Sequence, residues 1–279
     1  MSRFALLLLL LSFPGALEAQ SETRVPECAA TGGVDTDRDG LADACELALA
    51  RAFAPLLVTR SGGCNWDHAA VPPRLAGGHA FVVQPVDDGV VVGYLPAYFQ
   101  DCGWEGPKCW LPGVDCGGHP ADSEFIAVHL TGHPQQRMVP RRVFLSAHCF
   151  GRSGGECRWH EPDALTWEGT HPVVWVAEGR QANYPGRAEC DGGHYHLDTC
   201  DHHDTRYRFP VDGGGGNIGS ADHPRCIEGS ELATPLVDAE ARECFWDQQE
   251  PFRGWQEDAT GVTGYGRYLD VHLLPASGG

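Results

Sequence analysis

The chain has 279 residues and a formal charge of −18 at pH 7, with Lys108 its only lysine. A surface this acidic repels polyanions, which excludes nucleic acid and simple electrostatic adhesion to anionic lipid as natural partners. The 12 cysteines are even in number and include no Cys-x-x-Cys pair, which favours disulfides in an oxidising compartment over a zinc ribbon or a dithiol redox centre.

Met1 to Ala19 reads as a secretory signal, with Arg3 as its basic start, Phe4 to Leu11 as its apolar run and Ala19 as the small residue before cleavage. The run is short for a bilayer span, Pro14-Gly15 interrupts it, and no later stretch is long and apolar enough to cross. The expected location is therefore secreted or periplasmic, with no transmembrane segment. Residues 20–33 are small and polar, and the expectation for them is poor order. Short-range disulfides are expected at Cys28–Cys45, Cys149–Cys157, Cys190–Cys200 and Cys226–Cys244.

Residues 35–46 read Asp-Thr-Asp-Arg-Asp-Gly-Leu-Ala-Asp-Ala-Cys-Glu. Carboxylates stand at loop positions one, three, five, nine and twelve (Asp35, Asp37, Asp39, Asp43 and Glu46), with Gly40 at the sixth, where the backbone must turn. A hard cation taking six to eight oxygens needs this alternation, with Leu41 lending its carbonyl and Glu46 closing the site. The metal expected is Ca²⁺. The loop resembles the calcium loops of thrombospondin type 3 and dockerin modules over about a dozen residues. Like them it lacks the preceding helix of a full EF-hand, because Ala29-Ala30-Thr31-Gly32-Gly33 is a poor helix.

The loop runs into a predicted helix over Ala44 to Ala54, ended by Pro55. Beyond it, Gly and Pro separate short β-branched runs. Ala80 to Val86, Val90 to Phe99, Phe125 to Leu130, Arg142 to Ala147 and Val173 to Ala177 read as strands, with a hairpin at Asp87-Asp88-Gly89 and a loop over Val211 to Ser220. The pattern predicts a mainly β fold: a disulfide-stapled antiparallel β-sandwich with a short N-terminal calcium loop and helix. The segments are a signal at 1–19, an N-terminal stretch at 20–46 and a β domain at 47–275.

Two motifs suggest chemistry that their context rejects. Phe144-Leu-Ser-Ala-His-Cys149 and Gly151-Arg-Ser-Gly-Gly155 echo protease histidine and serine segments, but they sit together on one hairpin, whereas a triad draws on distant segments. His194, His196 and Asp198 would share a face if that stretch were extended. The βαβ pattern that goes with such a metal run is absent.

Four stretches in order resemble the vacuolar protein sorting-associated protein 62 family, over roughly residues 47 to 260. They are Leu49 to Leu57; Gly118 to Leu130, which contains Asp122-Ser-Glu124; Val143 to His148; and His171 to Pro185. Asn217-Ile-Gly219 falls where that family carries Asn-Val-Gly. Ser123 stands in place of the family's Trp and Gln181 in place of its His. The resemblance implies a largely β architecture and no defined activity. The surviving polar residues give a candidate pocket: Asp122 and Glu124 alternating on one strand, His119 just before them and His148 ending a neighbouring strand. Such a group suits a divalent cation. A partial motif similarity to the Nep-like cytolysins runs through the same residues. The functional expectation is a secreted calcium-binding β domain acting as a binding or surface-interaction module toward an extracellular ligand or surface. The alternatives are a metal-dependent hydrolase using His119, Asp122, Glu124 and His148, and a cytolysin-like toxin.

Overall fold

The structure is a computed structural model that describes residues 23–29, 32–62, 80–101, 103, 119–147, 157–196, 198–212, 216–217 and 219. The expected signal at 1–19, Cys226, Cys244, Cys149 and His148 lie outside the described residues.

A 3₁₀ turn at Pro26–Ala29 leads into the acidic loop and helix α1, Asp43–Ala52. The strands follow in chain order: β1 Leu56–Thr59, β2 Ala80–Val86, β3 Gly89–Leu95, β4 Ala97–Asp101, β5 His119–Ser123, β6 Ile126–Gly132 and β7 Met138–Leu145. After them come β8 Arg158–His160, β9 Trp167–Glu168, β10 His171–Val176, β11 Asn183–Tyr184, helix α2 Arg187–His196, β12 Thr205–Arg208 and β13 Gly216–Asn217.

One sheet runs β13-β2-β3-β6-β7-β8 and a second runs β11-β10-β1-β12, with β9 also on β10; β4 and β5 pair separately. The mainly β, disulfide-stapled architecture expected from the sequence is present. Two of its pairings, β1 with β10 and β13 with β2, are parallel rather than antiparallel. The two sheets and α1 share one core, in which Leu57 and Val174 of the second sheet and Phe209, just past β12, join Val92, Tyr94 and Val128 of the first. Tyr94 and Phe209 pack edge-on, with centroids 5.3 Å apart.

The long apolar runs of β2 and β3 have a physical reason. Val83, Val92 and Val128 face the shared core, while Val82, Val91 and Ala127 on the opposite face are also buried. A strand covered on both sides needs apolar residues at successive positions.

Helix α1 buries Leu49 and Ala50 and stops at Phe53, which leaves helical geometry at φ −115°, ψ 13°. The last carbonyls of a helix lack partners within it. Here Tyr94 Oη donates to Ala50 O at 2.9 Å, and Thr170 Oγ1 donates to Ala52 O. Tyr94 of β3 and the turn between β9 and β10 therefore cap the helix.

The β2–β3 hairpin forms with Val86 opposite Gly89 across Asp87-Asp88. Gly89 is required for close approach: a Cβ there would lie 1.9 Å from the Leu130 carbonyl oxygen of β6. The N-terminal stretch departs from expectation. Thr23 exchanges both backbone hydrogen bonds with Met138 of β7 (3.1 and 2.9 Å), and Val25 and Cys28 are buried in the core. Cys28–Cys45 then staples this stretch to α1, and Cys190–Cys200 closes the end of α2. Cys157 is also disulfide-bonded.

Candidate metal centre

The acidic loop folds onto the start of α1 through its own side chains. Thr36 donates from N and Oγ1 to the two carboxylate oxygens of Asp43, at 2.9 and 2.6 Å. Gly40 N donates to Asp35 Oδ2 at 3.1 Å and Leu41 N to Asp39 Oδ1 at 2.8 Å. The sharp turn is made by Gly40 at φ 98°, in the left-handed region where a side chain is costly. Arg38 also adopts that region, at φ 56°. Asp43 N donates to Val34 O at 2.8 Å, so the loop closes where the helix begins.

These bonds leave the carboxylates converging. Among the described residues two trios come together, Asp35-Asp37-Asp39 and Asp37-Asp43-Glu46, and within each the ligand atoms lie within 4.8 Å of one another. Oxygens bound to one Ca²⁺ at about 2.3–2.6 Å lie no more than about 5 Å apart. Asp37, shared by both trios, and Glu46 are fully buried. Asp35 Oδ1 is buried too and has no hydrogen-bond partner among the described residues. Like charges gathered out of water are costly unless a cation or protons neutralise them. The all-oxygen donor set suits a hard divalent cation over a soft one. Leu41, the expected carbonyl donor, sits in the loop with its side chain packed against the core.

Glu46 has a partner that motif reading missed. Asn217 Nδ2 donates to Glu46 Oε1 at 2.7 Å, and the Asn217 side chain is itself oriented by accepting from Gly219 N at 3.0 Å. The stretch expected as a loop thus contributes strand β13 and a support for the twelfth loop position. Beside the acidic loop lies a cleft of about 780 Å³, lined by Asp35 and Asp39 of the loop and by Asp87, Asp88 and His133.

The second candidate group is placed only in part. His119 and Asp122 lie on β5, opposite Asp101 and Tyr98 of β4. Strand β5 ends at Ser123, so Asp122 and Glu124 do not alternate along one strand as expected. Glu124 falls in the break before β6, is buried, and accepts a hydrogen bond from Ser146 Oγ. Ser146 Oγ in turn accepts from Phe125 N at 2.6 Å, and Ser146 O accepts from Asn183 N at 2.9 Å. Glu124 therefore belongs to a junction that ties the start of β6 to the end of β7 and to β11. Gln181, two residues before Asn183, is buried at left-handed φ 55°, and its Oε1 has no hydrogen-bond partner among the described residues.

The His194–Asp198 stretch does not form the extended face considered above. His194 and His196 lie in α2. Gly193 lets α2 approach the Tyr184 ring: a Cβ there would sit 2.3 Å from Tyr184 Oη. That hydroxyl donates to the buried Asp198 at 2.5 Å.

No helix among the described residues is long and apolar enough to cross a membrane. No family model matches the chain, and no curated protein matches it. Two solved structures show a distant likeness. One is described as a toxin fold for microbial attack and plant defense, with 15% identity over 56% of this chain and 71% of that one and a TM-score of 0.31. The other is Necrosis and Ethylene inducing Protein 2 from the causal agent of cocoa's witches' broom disease, with 16% identity over 55% and 74% and a TM-score of 0.30. At these values neither likeness carries an argument about this chain.

Proposed function

We propose that this chain is an exported, calcium-stabilised β domain that acts as a binding or surface-interaction module, related to the vacuolar protein sorting-associated protein 62 family. The observation that carries this reading is the convergence of Asp35, Asp37, Asp39, Asp43 and Glu46 in two trios sharing the buried Asp37. Family relatedness is supported by the four ordered sequence stretches, and export by the signal-like start and the disulfides.

In this reading Asp35, Asp37, Asp39 and Glu46 hold Ca²⁺ directly, Leu41 adds its carbonyl, and Asp43, engaged by Thr36, acts at the ninth position. The ion supplies positive charge that lets buried carboxylates pack against α1. The domain is then clamped at three points: Thr23 on β7, the Cys28–Cys45 disulfide, and Glu46 held by Asn217. Extracellular calcium modules bind at about 0.1–1 mM, which matches an exported setting.

The test is thermal melting and limited proteolysis of the oxidised chain with 2 mM Ca²⁺ or with EDTA (a concentration of about the upper module affinity). The reading expects a lower Tm and new cleavage around residues 32–42 in EDTA. Identical melting and cleavage in both would defeat it.

A further inference from the structure

On the face of the six-stranded sheet opposite the shared core lies a buried histidine with both ring nitrogens engaged. His129 of β6 is 3% exposed. Its Nε2 lies 2.9 Å from Asp88 Oδ1 on the β2–β3 turn. Its Nδ1 accepts from Arg142 Nε of β7 at 3.2 Å. An arginine has no acceptor and does not lose its proton, so Nδ1 must present a lone pair. The ring is therefore neutral, with its hydrogen on Nε2.

The same arginine does a second job. Its guanidinium carbon lies 4.2 Å from the ring centroid of Trp159 on β8, the edge strand. Trp159 packs edge-on against His129 and Phe144, with centroids 6.3 and 5.5 Å apart. The arrangement depends on a β-bulge. Pairing shifts between His129 and Leu130, which face Arg142 and Pro140, leaving Arg141 as the extra residue. Both arginines then reach the same cluster, and Arg141 Nη1 donates to Asp88 Oδ2 at 3.1 Å.

We propose that His129 is an acid-triggered latch: protonation at Nδ1 displaces the Arg142 guanidinium, uncovers the Trp159 ring and loosens the edge strand β8. The proton comes from solvent and forms a bond to Nδ1, turning an acceptor into a donor that faces the donor on Arg142 Nε. Three charged groups face the ring among the described residues. Asp88 favours the protonated ring and stays bonded to Nε2, while Arg142 and Arg141 oppose it. Glu161, beyond β8, acts on Arg142 with the attracting sign. Burial is the largest influence and lowers the ring's pKa from 6.5, so the latch opens on the acid side of the ordinary imidazole range.

The test is the tryptophan emission of wild type minus that of W159F, followed from about pH 8 to about pH 4 with far-UV circular dichroism alongside. The proposal expects one transition below the ordinary histidine range, with the dichroism unchanged, and its loss in H129Q. Should H129Q fail to fold, ¹⁵N NMR of wild type gives the same answer. The Arg142 Nε–H signal must disappear in step with the His129 titration. A flat difference signal, a transition kept in H129Q, a transition that coincides with unfolding, or an Arg142 signal indifferent to His129 would each overturn the latch.

Discussion

Asn217 Nδ2 donates to Glu46 Oε1 at 2.7 Å across 171 residues of sequence. A strand of two residues near the end of the described chain thereby orients the carboxylate that closes an acidic loop near its beginning. Partners that orient a ligating carboxylate matter for affinity nearly as much as the ligands themselves. Asn217→Ala is expected to weaken Ca²⁺ binding by roughly 10- to 100-fold, measured by isothermal titration. Asn217→Asp is expected to weaken it further, because two carboxylates would then face each other.

Calcium is expected to stabilise the fold by mass action. With 1 mM free ion and a dissociation constant of about 0.1 mM, the gain is roughly 1.4 kcal/mol. Urea unfolding with Ca²⁺ or EDTA should show that difference, and Asp37→Ala should erase it. Asp37 is the informative choice because both carboxylate trios share it.

Cys28–Cys45, 17 residues apart, closes a loop around Asp35, Asp37, Asp39 and Asp43. Chain-entropy arguments give about 3 kcal/mol for a loop of that length. The double Ser variant is expected to lose about this much and also to bind Ca²⁺ more weakly, since Val25 and Cys28 would no longer be anchored in the core. The paired change at Cys190 and Cys200 should destabilise the chain while leaving Ca²⁺ affinity alone.

Two glycines separate two kinds of backbone demand. Gly89→Ala puts a Cβ 1.9 Å from the Leu130 carbonyl oxygen, so β3 and β6 must part; a loss of about 3 kcal/mol or more is expected. Gly40→Ala meets nothing within 4 Å but holds φ 98°, so its cost is strain of about 1–2 kcal/mol, centred on the acidic loop. Equilibrium unfolding with and without Ca²⁺ distinguishes the two.

Much of this was readable before the fold was known, where the chemistry is local. The limits of β2 follow from an apolar run closed by Asp-Asp-Gly, and α1 follows from its Ala, Leu and Glu content with Pro55 beyond. Both short-range disulfides within the described residues matched expectation because their loops are short. Long-range pairings carry no local signal. Nothing in Leu56–Thr59 announces a parallel partner at Val173, and nothing in Thr23 announces Met138. The polar texture of residues 20–33 suggested poor order because two buried anchors, Val25 and Cys28, look minor beside their neighbours. The candidate pocket at Asp122 and Glu124 assumed one unbroken strand, but the chain breaks at Glu124, where Ser146 offers the carboxylate a hydrogen bond.

Acid should destabilise the fold through its buried and half-buried imidazoles. Burial lowers the pKa of His129, His160, His171 and His203. A histidine whose folded pKa is depressed favours the neutral folded state. Its contribution is therefore present above the unfolded value near 6.5 and is lost as pH falls through the lower folded value. Urea unfolding in EDTA, which removes the metal's own pH dependence, should show stability level above about pH 7 and declining below about pH 6.

The most direct measurement is isothermal titration of the oxidised chain with Ca²⁺, beside Glu46→Gln. One site with a dissociation constant of roughly 0.1–1 mM, weakened at least about tenfold in Glu46→Gln, is the predicted result. Absence of binding up to several millimolar, or equal binding by the two proteins, would contradict a calcium-closed loop.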